Sequence, residues 1–144
     1  MKKQIQKVSI KAIIYQNGKI LLLKDRLGKW ELPGGRLEFG ENPQQALKRE
    51  LQEELNIKAN LKECDLVDVW SFVSTLSQKA DYHYLIVIYA CHFDISKISI
   101  SQEHTAYKWF VPKEIENLPI LSNYINSIKT FLKQDPLDEK QSKC

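Results

Sequence analysis

Glu50, Glu53 and Glu54 stand at the spacing i, i+3 and i+4, shortly after the glycine pair Gly34–Gly35. Each residue of a helix turns by about 100°, so these three carboxylates would share one face and converge on one small volume. Hard oxygen donors suit Mg²⁺, with Mn²⁺ as the alternative, and Mg²⁺ keeps waters and takes up phosphate oxygens beside a few carboxylates. Clustered carboxylates also repel each other and any polyphosphate, so the arrangement makes chemical sense with cations bridging them. The competing reading is a solvated acidic helix face, ion-paired with its neighbours.

The surrounding residues decide between these readings. From Gly35 to Ile57 the chain reads GRLEFGENPQQALKRELQEELNI: glycine, five residues, glutamate, seven residues, then Arg-Glu-Leu-Gln-Glu-Glu. This resembles the Nudix box of the diphosphate hydrolases through Gly35, Glu41, Arg49, Glu50, Leu51, Glu53, Glu54 and Ile57. It departs from the pattern at Asn56, where the family has glycine. Asparagine tolerates the left-handed conformation that ends a helix, so Asn56 can take over that role.

The resemblance implies a fold and a chemistry. The fold is an α/β/α sandwich with a mixed β-sheet between helices, over roughly residues 5 to 133. The chemistry is metal-dependent hydrolysis of a nucleoside diphosphate linked to another group. By the same resemblance Glu50, Glu53 and Glu54 bind metal, Gly35 offers its carbonyl, and Glu41 and Arg49 hold loop and helix in register. A guanidinium can pin a carboxylate in a bidentate fork, so Arg49 reads as support and not as catalyst. Glu103 resembles a late loop glutamate that serves the family as a further ligand or as the base. Glu50 ranks first as base and Glu103 second, with Glu38 on the glycine-rich loop as a rival. Lys24 and Arg26, at the end of an early strand, stand where relatives often keep a cation for substrate phosphates, and Glu38 too is a candidate for contact with substrate.

The elements that must carry these residues are legible from pattern. Val8–Gln16 and Lys19–Lys24 are β-rich runs around Asn17–Gly18, the pair that favours a type I′ hairpin. Lys29–Leu32 is a short extended piece ended by Pro33. Asn42 as N-cap, Pro43 at the first helical position and Gln45 three residues after the cap predict a helix from 43 to about 55. Leu47, Leu51 and Leu55 form its core stripe, and Ala46 falls on the acidic side, where a small side chain would leave room for ions and phosphate. Asp65–Val73 and Tyr82–Phe93 read as strands joined through Ser74–Asp81, and Ala106–Val111 as another strand. Lys113–Asn117 reads as a short helical turn, and Ile120 to Leu132 as an amphipathic helix.

With 144 residues, 43% of them hydrophobic and 27% charged, the chain suits one domain over residues 1–134, with a polar, flexible tail over 135–144. Ala12–Tyr15 is separated from Ile20–Leu23 by Gln16-Asn17-Gly18, too short for a membrane span or signal core. Cys64, Cys91 and Cys144 are scattered and lack a CxxC pair, so free thiols and a cytoplasmic setting are expected. Cys91, His92 and His104 are not expected to form a metal site, and His83 and His104 read as hydrogen-bonded structural residues. Trp30, Trp70, Phe72 and Tyr84 are aromatics that either stack on a base or fill the core.

A net charge of +3 with no basic block argues against nucleic acid as a partner. The expected partner is a small nucleotide or nucleotide derivative, and a homodimer is compatible with the sequence. The ADP-ribose, dinucleoside-polyphosphate and coenzyme A signatures of the family are missing around Phe72–Thr75 and before the box. By elimination a nucleoside or deoxynucleoside triphosphate is the expected substrate, cleaved to monophosphate and pyrophosphate. A ligand sensor without turnover and an enzyme acting on RNA 5′ ends are the alternatives.

Overall fold

In the computed structural model, which describes residues 2–93 and 95–134, Asn17 and Gly18 both take positive φ, 54° and 75°. They join β1 (Lys3–Gln16) to β2 (Lys19–Asp25) by the tight antiparallel turn expected of that pair. The chain continues through β3 (Trp30–Glu31), β4 (Gly34–Arg36) and α1 (Pro43–Leu55). A short 3₁₀ turn (Leu61–Glu63) leads into β5 (Cys64–Ser74) and β6 (Ala80–Cys91). β7 (His104–Phe110), α2 (Pro112–Ile115) and α3 (Ser122–Gln134) complete it. Residues 135–144, where the tail was expected, lie outside the described residues.

The strands form one sheet in the order β3-β2-β1-β6-β5, with β4 pairing beside β1 and β7 beside β2. β1 and β6 run parallel and the other pairs antiparallel, which makes the sheet mixed. Alternation along β1 sends Ile10, Ala12 and Ile14 to the face covered by Leu47, Leu51 and Leu55 of α1. Ile13 faces the other way, into a core of Ile86, Ile88, Tyr124, Ile128 and Phe131 under α3. Helices on both faces account for the nearly unbroken apolar runs of β1, β2 and β6. Trp70 Nε1 donates to Ser127 Oγ at 2.9 Å, and that hydroxyl donates to Asp68 Oδ2 at 2.8 Å, which fastens α3 to β5.

Helix α1 begins and ends where its caps place it. Asn42 accepts from the Gln45 backbone and the Gln45 side chain accepts from the Asn42 backbone, closing a capping box. Asn56 at φ 56° and ψ 40° is the left-handed C-cap. Ala46 differs from expectation. It is fully buried in the core beside Leu47, because the stripe that α1 lays on the sheet is wider than the leucine repeat alone.

The cysteines also differ. Cys64 opens β5, Cys91 closes β6, and the two are directly opposed in the antiparallel register, where their sulfurs form a disulfide. A sequence separation of 27 residues concealed a pairing that strand register creates. The disulfide removes the free-thiol argument for a cytoplasmic setting. Among the described residues no helix is long and apolar enough to cross a membrane.

Two stability predictions follow from this packing. Leu51→Ala should cost about 2–5 kcal/mol in chemical denaturation, since it opens a cavity between α1 and the sheet; a midpoint equal to wild type would contradict the helix placement. The intact mass without reductant should be two hydrogens below that of the reduced chain, because Cys64 and Cys91 are joined. Reduction should lower stability by about 3–4 kcal/mol, the loop-closure entropy of a bridge of this span.

Candidate active site

The turn from β4 into α1 is held by close approaches at Gly34 and Gly35. Gly34 sits at φ +131°, and a Cβ there would strike the Ile10 carbonyl and Lys11 backbone. A Cβ on Gly35 would fall on the Glu50 carboxylate. The backbone of β4 thus lies directly against α1, and the Gly34 N–H donates to Glu54 Oε1 at 2.7 Å.

Arg49 fixes the loop before the helix. Its Nε and Nη2 grip both oxygens of Glu41 at 2.8 and 2.9 Å, and Nη2 also donates to the Arg36 carbonyl. Nη1 reaches Glu50 at 2.8 Å and Glu53 at 3.3 Å, with Glu38 farther off at 3.6 Å. The hydrogen bonds to Arg49 hold the Glu41 carboxyl below the ordinary carboxylate range, and the same pairing holds the guanidinium well above its ordinary value.

Deeper in, Glu54 is buried, and burial pushes its carboxyl up to about 7 against the opposing pull of Lys11 and the Gly34 N–H. Lys11, buried at the centre of β1, donates to the Gly34 carbonyl at 3.2 Å. Burial works against its charge, but Tyr124, Glu31, Glu54 and Glu50 together raise its pKa above the usual lysine value. His104, at the start of β7, bonds Glu31 Oε1 through Nε2 at 2.7 Å and turns Nδ1 toward Glu54 Oε2 at 3.6 Å. Burial lowers the affinity of this imidazole for its proton, yet Glu31 and Glu54 bring the pKa above the ordinary histidine value. Glu31, desolvated but hydrogen-bonded to His104, lies below the ordinary glutamate value.

All of this opens into a cleft of about 990 Å³. One wall is Gly34, Gly35, Glu38, Arg49, Glu50, Glu53 and Glu54; the other is Lys7, Ser9 and Lys11 of β1 with Glu31, Tyr84, Glu103 and His104. Six glutamates face four lysines and arginines in the lining, an excess of negative charge that a divalent cation would offset.

The structure therefore gathers Gly35, Glu38, Arg49, Glu50, Glu53, Glu54 and Glu103 around one cleft, with Glu41 behind it on Arg49. It does not bring Lys24 and Arg26 there. Arg26 donates to the Gln102 carbonyl, and the Lys24 ammonium lies 5.7 Å from the Trp30 ring centre, both outside the lining. The cations that do face the cleft come from β1, β4 and α1, as Lys7, Lys11, Arg36 and Arg49. Of the four aromatics, Tyr84 lines the cleft, while Trp30 packs edge-on against Phe110 and Trp70 is tied to Ser127.

Sequence reasoning missed Lys7, Ser9, Lys11, Arg36 and Glu31. One signal was present: Lys11 interrupts the apolar run from Ile10 to Ile14, and a lysine inside a strand covered on both faces needs an anionic partner. His104 is hydrogen-bonded, as expected of it, and it is also a wall of the cleft.

A family model for the NUDIX domain matches residues 6–131. The chain belongs to the Nudix hydrolase family. This Nudix hydrolase is 33% identical over 129 residues to the CTP pyrophosphohydrolase of Escherichia coli (strain K12), a match covering 85% of the chain and 89% of the relative. It is 28% identical over 123 residues to the nucleoside triphosphatase NudI of E. coli O139:H28, covering 76% and 85%. The crystal structure of a MutT NUDIX hydrolase from Burkholderia pseudomallei superposes with a TM-score of 0.76 at 24% identity, over 87% of this chain and 97% of that one, which bears on the fold. The mixed sheet between helices is thus the Nudix architecture.

Gly34 and Gly35 should respond differently to substitution. Gly34→Ala forces backbone apart and should cost about 2–4 kcal/mol in urea unfolding. Gly35→Ala displaces only the end of Glu50 and should cost less than about 1 kcal/mol. The reverse ranking would show that Glu50 does not lie against β4.

Proposed function

We propose that this Nudix hydrolase cleaves a nucleoside or deoxynucleoside triphosphate to a nucleoside monophosphate and pyrophosphate, using Mg²⁺ or Mn²⁺. The observation that carries this reading is the convergence of Glu50, Glu53 and Glu54 with Gly35 at one cleft, opposite the basic stripe of Lys7 and Lys11. Support for the substrate class comes from the nucleotide activities in the names of the two E. coli relatives.

The donor set fits a hard divalent ion: Glu53 is exposed, Glu50 lines the cleft, and the lining holds more carboxylates than cations. Glu50, Glu53, Glu54 and the Gly35 carbonyl would hold it. When bound, such an ion polarises a phosphoryl oxygen and steadies the charge of the departing phosphate. The remaining work falls to the chain. Lys7 and Arg36 line the cleft and offer positive charge to a polyphosphate. Arg49, anchored on Glu41, holds the Glu50 carboxylate through Nη1 so that its free oxygen can take the proton of an attacking water. Glu103, exposed on the opposite rim, is the second candidate for that proton. Water enters within the phosphate chain and not at carbon.

Glu53→Gln and Glu54→Gln should each keep the fold and lower kcat by roughly 10²-fold, the scale of losing a positioned charged group. Unchanged turnover in both variants would remove the box carboxylates from the chemistry. Incubation of nucleoside triphosphates in ¹⁸O-labelled water with Mg²⁺, and again with chelator, should yield monophosphate and pyrophosphate only in the first case, with label on phosphorus. Orthophosphate as first product would mean attack on the terminal phosphate, and binding without turnover would mean a sensor.

A further inference from the structure

His104 Nδ1 is buried and has no hydrogen-bond partner among the described residues. It does not point into apolar packing. Glu54 Oε2 lies 3.6 Å away, too far for a hydrogen bond, while the other ring nitrogen is fixed by Glu31 at 2.7 Å. One donor atom each from Glu31, Glu54 and His104 falls within 4.8 Å of the others.

That arrangement has a chemical meaning. A histidine whose Nε2–H is held by a carboxylate presents Nδ1 as a lone pair, and this is how metal-binding imidazoles are oriented. Two acceptors facing each other across such a gap attract a cation between them. Metal–nitrogen and metal–oxygen bonds of about 2.0–2.2 Å, meeting at an open angle, span a separation of that size.

We propose that His104 Nδ1 and Glu54 Oε2 together ligate a divalent transition-metal ion, with Glu31 orienting the imidazole from behind. The ion takes the place of any proton on Nδ1, which leaves to solvent. An imidazole ligand favours Mn²⁺, Co²⁺ or Zn²⁺ over Mg²⁺, so this wall of the cleft distinguishes among metals where an all-oxygen site does not. The site shares Glu54 with the proposed catalytic centre and rests on that reading in this one residue. The Lys11 ammonium, bonded to the Gly34 carbonyl, offsets part of the carboxylate charge beside it.

Pulsed electron paramagnetic resonance on the full chain loaded with Mn²⁺ reads directly whether nitrogen is bound. Wild type should show ¹⁴N coupling that converts to the ¹⁵N pattern on histidine labelling. His104→Gln should abolish the coupling, while His83→Gln and His92→Gln keep it. Loss of coupling in either of the latter would overturn the assignment, and their retention assigns the nitrogen even where His104→Gln fails to fold. Glu31→Gln should keep the coupling and weaken Mn²⁺ about 10- to 100-fold; unchanged affinity would overturn the orienting role. Bound Mn²⁺ without nitrogen coupling would overturn this site and leave the all-oxygen centre standing, whereas failure to bind Mn²⁺ at all would overturn both.

Discussion

Six glutamates lining one cleft repel one another, and much of the surrounding structure consists of the contacts that offset this repulsion. Arg49 spreads one guanidinium over Glu41, Glu50 and Glu53. The Gly34 N–H and the Lys11 ammonium meet the site from inside the sheet, one on Glu54 and the other within its field. These groups hold the carboxylates converged through the chain's own contacts. That order matters: a cleft already held in this way spares any ligand the cost of fixing several long side chains, which a loosely held one would not.

The division of labour between elements is clear. Helix α1 supplies the box carboxylates and Arg49, all from one face, so their relative positions are fixed by helical geometry alone. The opposing wall comes from β1, β3, β6 and β7, through Lys7, Lys11, Glu31, Tyr84 and His104, and depends on sheet pairing. The helical half of the cleft is therefore set by local geometry, and the sheet half by pairings between segments distant in the chain.

The same division explains what the sequence disclosed. Asn42, Pro43, Gln45 and Asn56 marked α1 to the residue because caps are local, and the convergence of Glu50, Glu53 and Glu54 needed only a helical period. The opposing wall required knowing which strands are neighbours. His104 and Glu31 are far apart in the chain and meet because β3 and β7 both pair with β2. Cys64 and Cys91 meet through the β5–β6 register for the same kind of reason. β4 was hidden because Gly34 and Gly35 resemble loop residues, and the start of β1 because Lys3 to Lys7 lack an apolar pattern. Lys24 and Arg26 fall outside the cleft lining, since a strand end gives no direction until its sheet is known.

The parallel pairing of β1 with β6 sets a kinetic condition on all of this. Lys3 lies opposite Ala80, so the central ladder joins the first strand to one made much later in the chain, with α1 and β5 inside the closed loop. Such closure loses chain entropy before its contacts return any, and folds dominated by such pairings form slowly. Helix α1, with its capping box, can form early, while Ile86, Ile88 and the rest of β6 stay uncovered until β1 docks. During that interval the chain exposes its most apolar strand, and the β5–β6 hairpin is the local partner that can shield one edge of it.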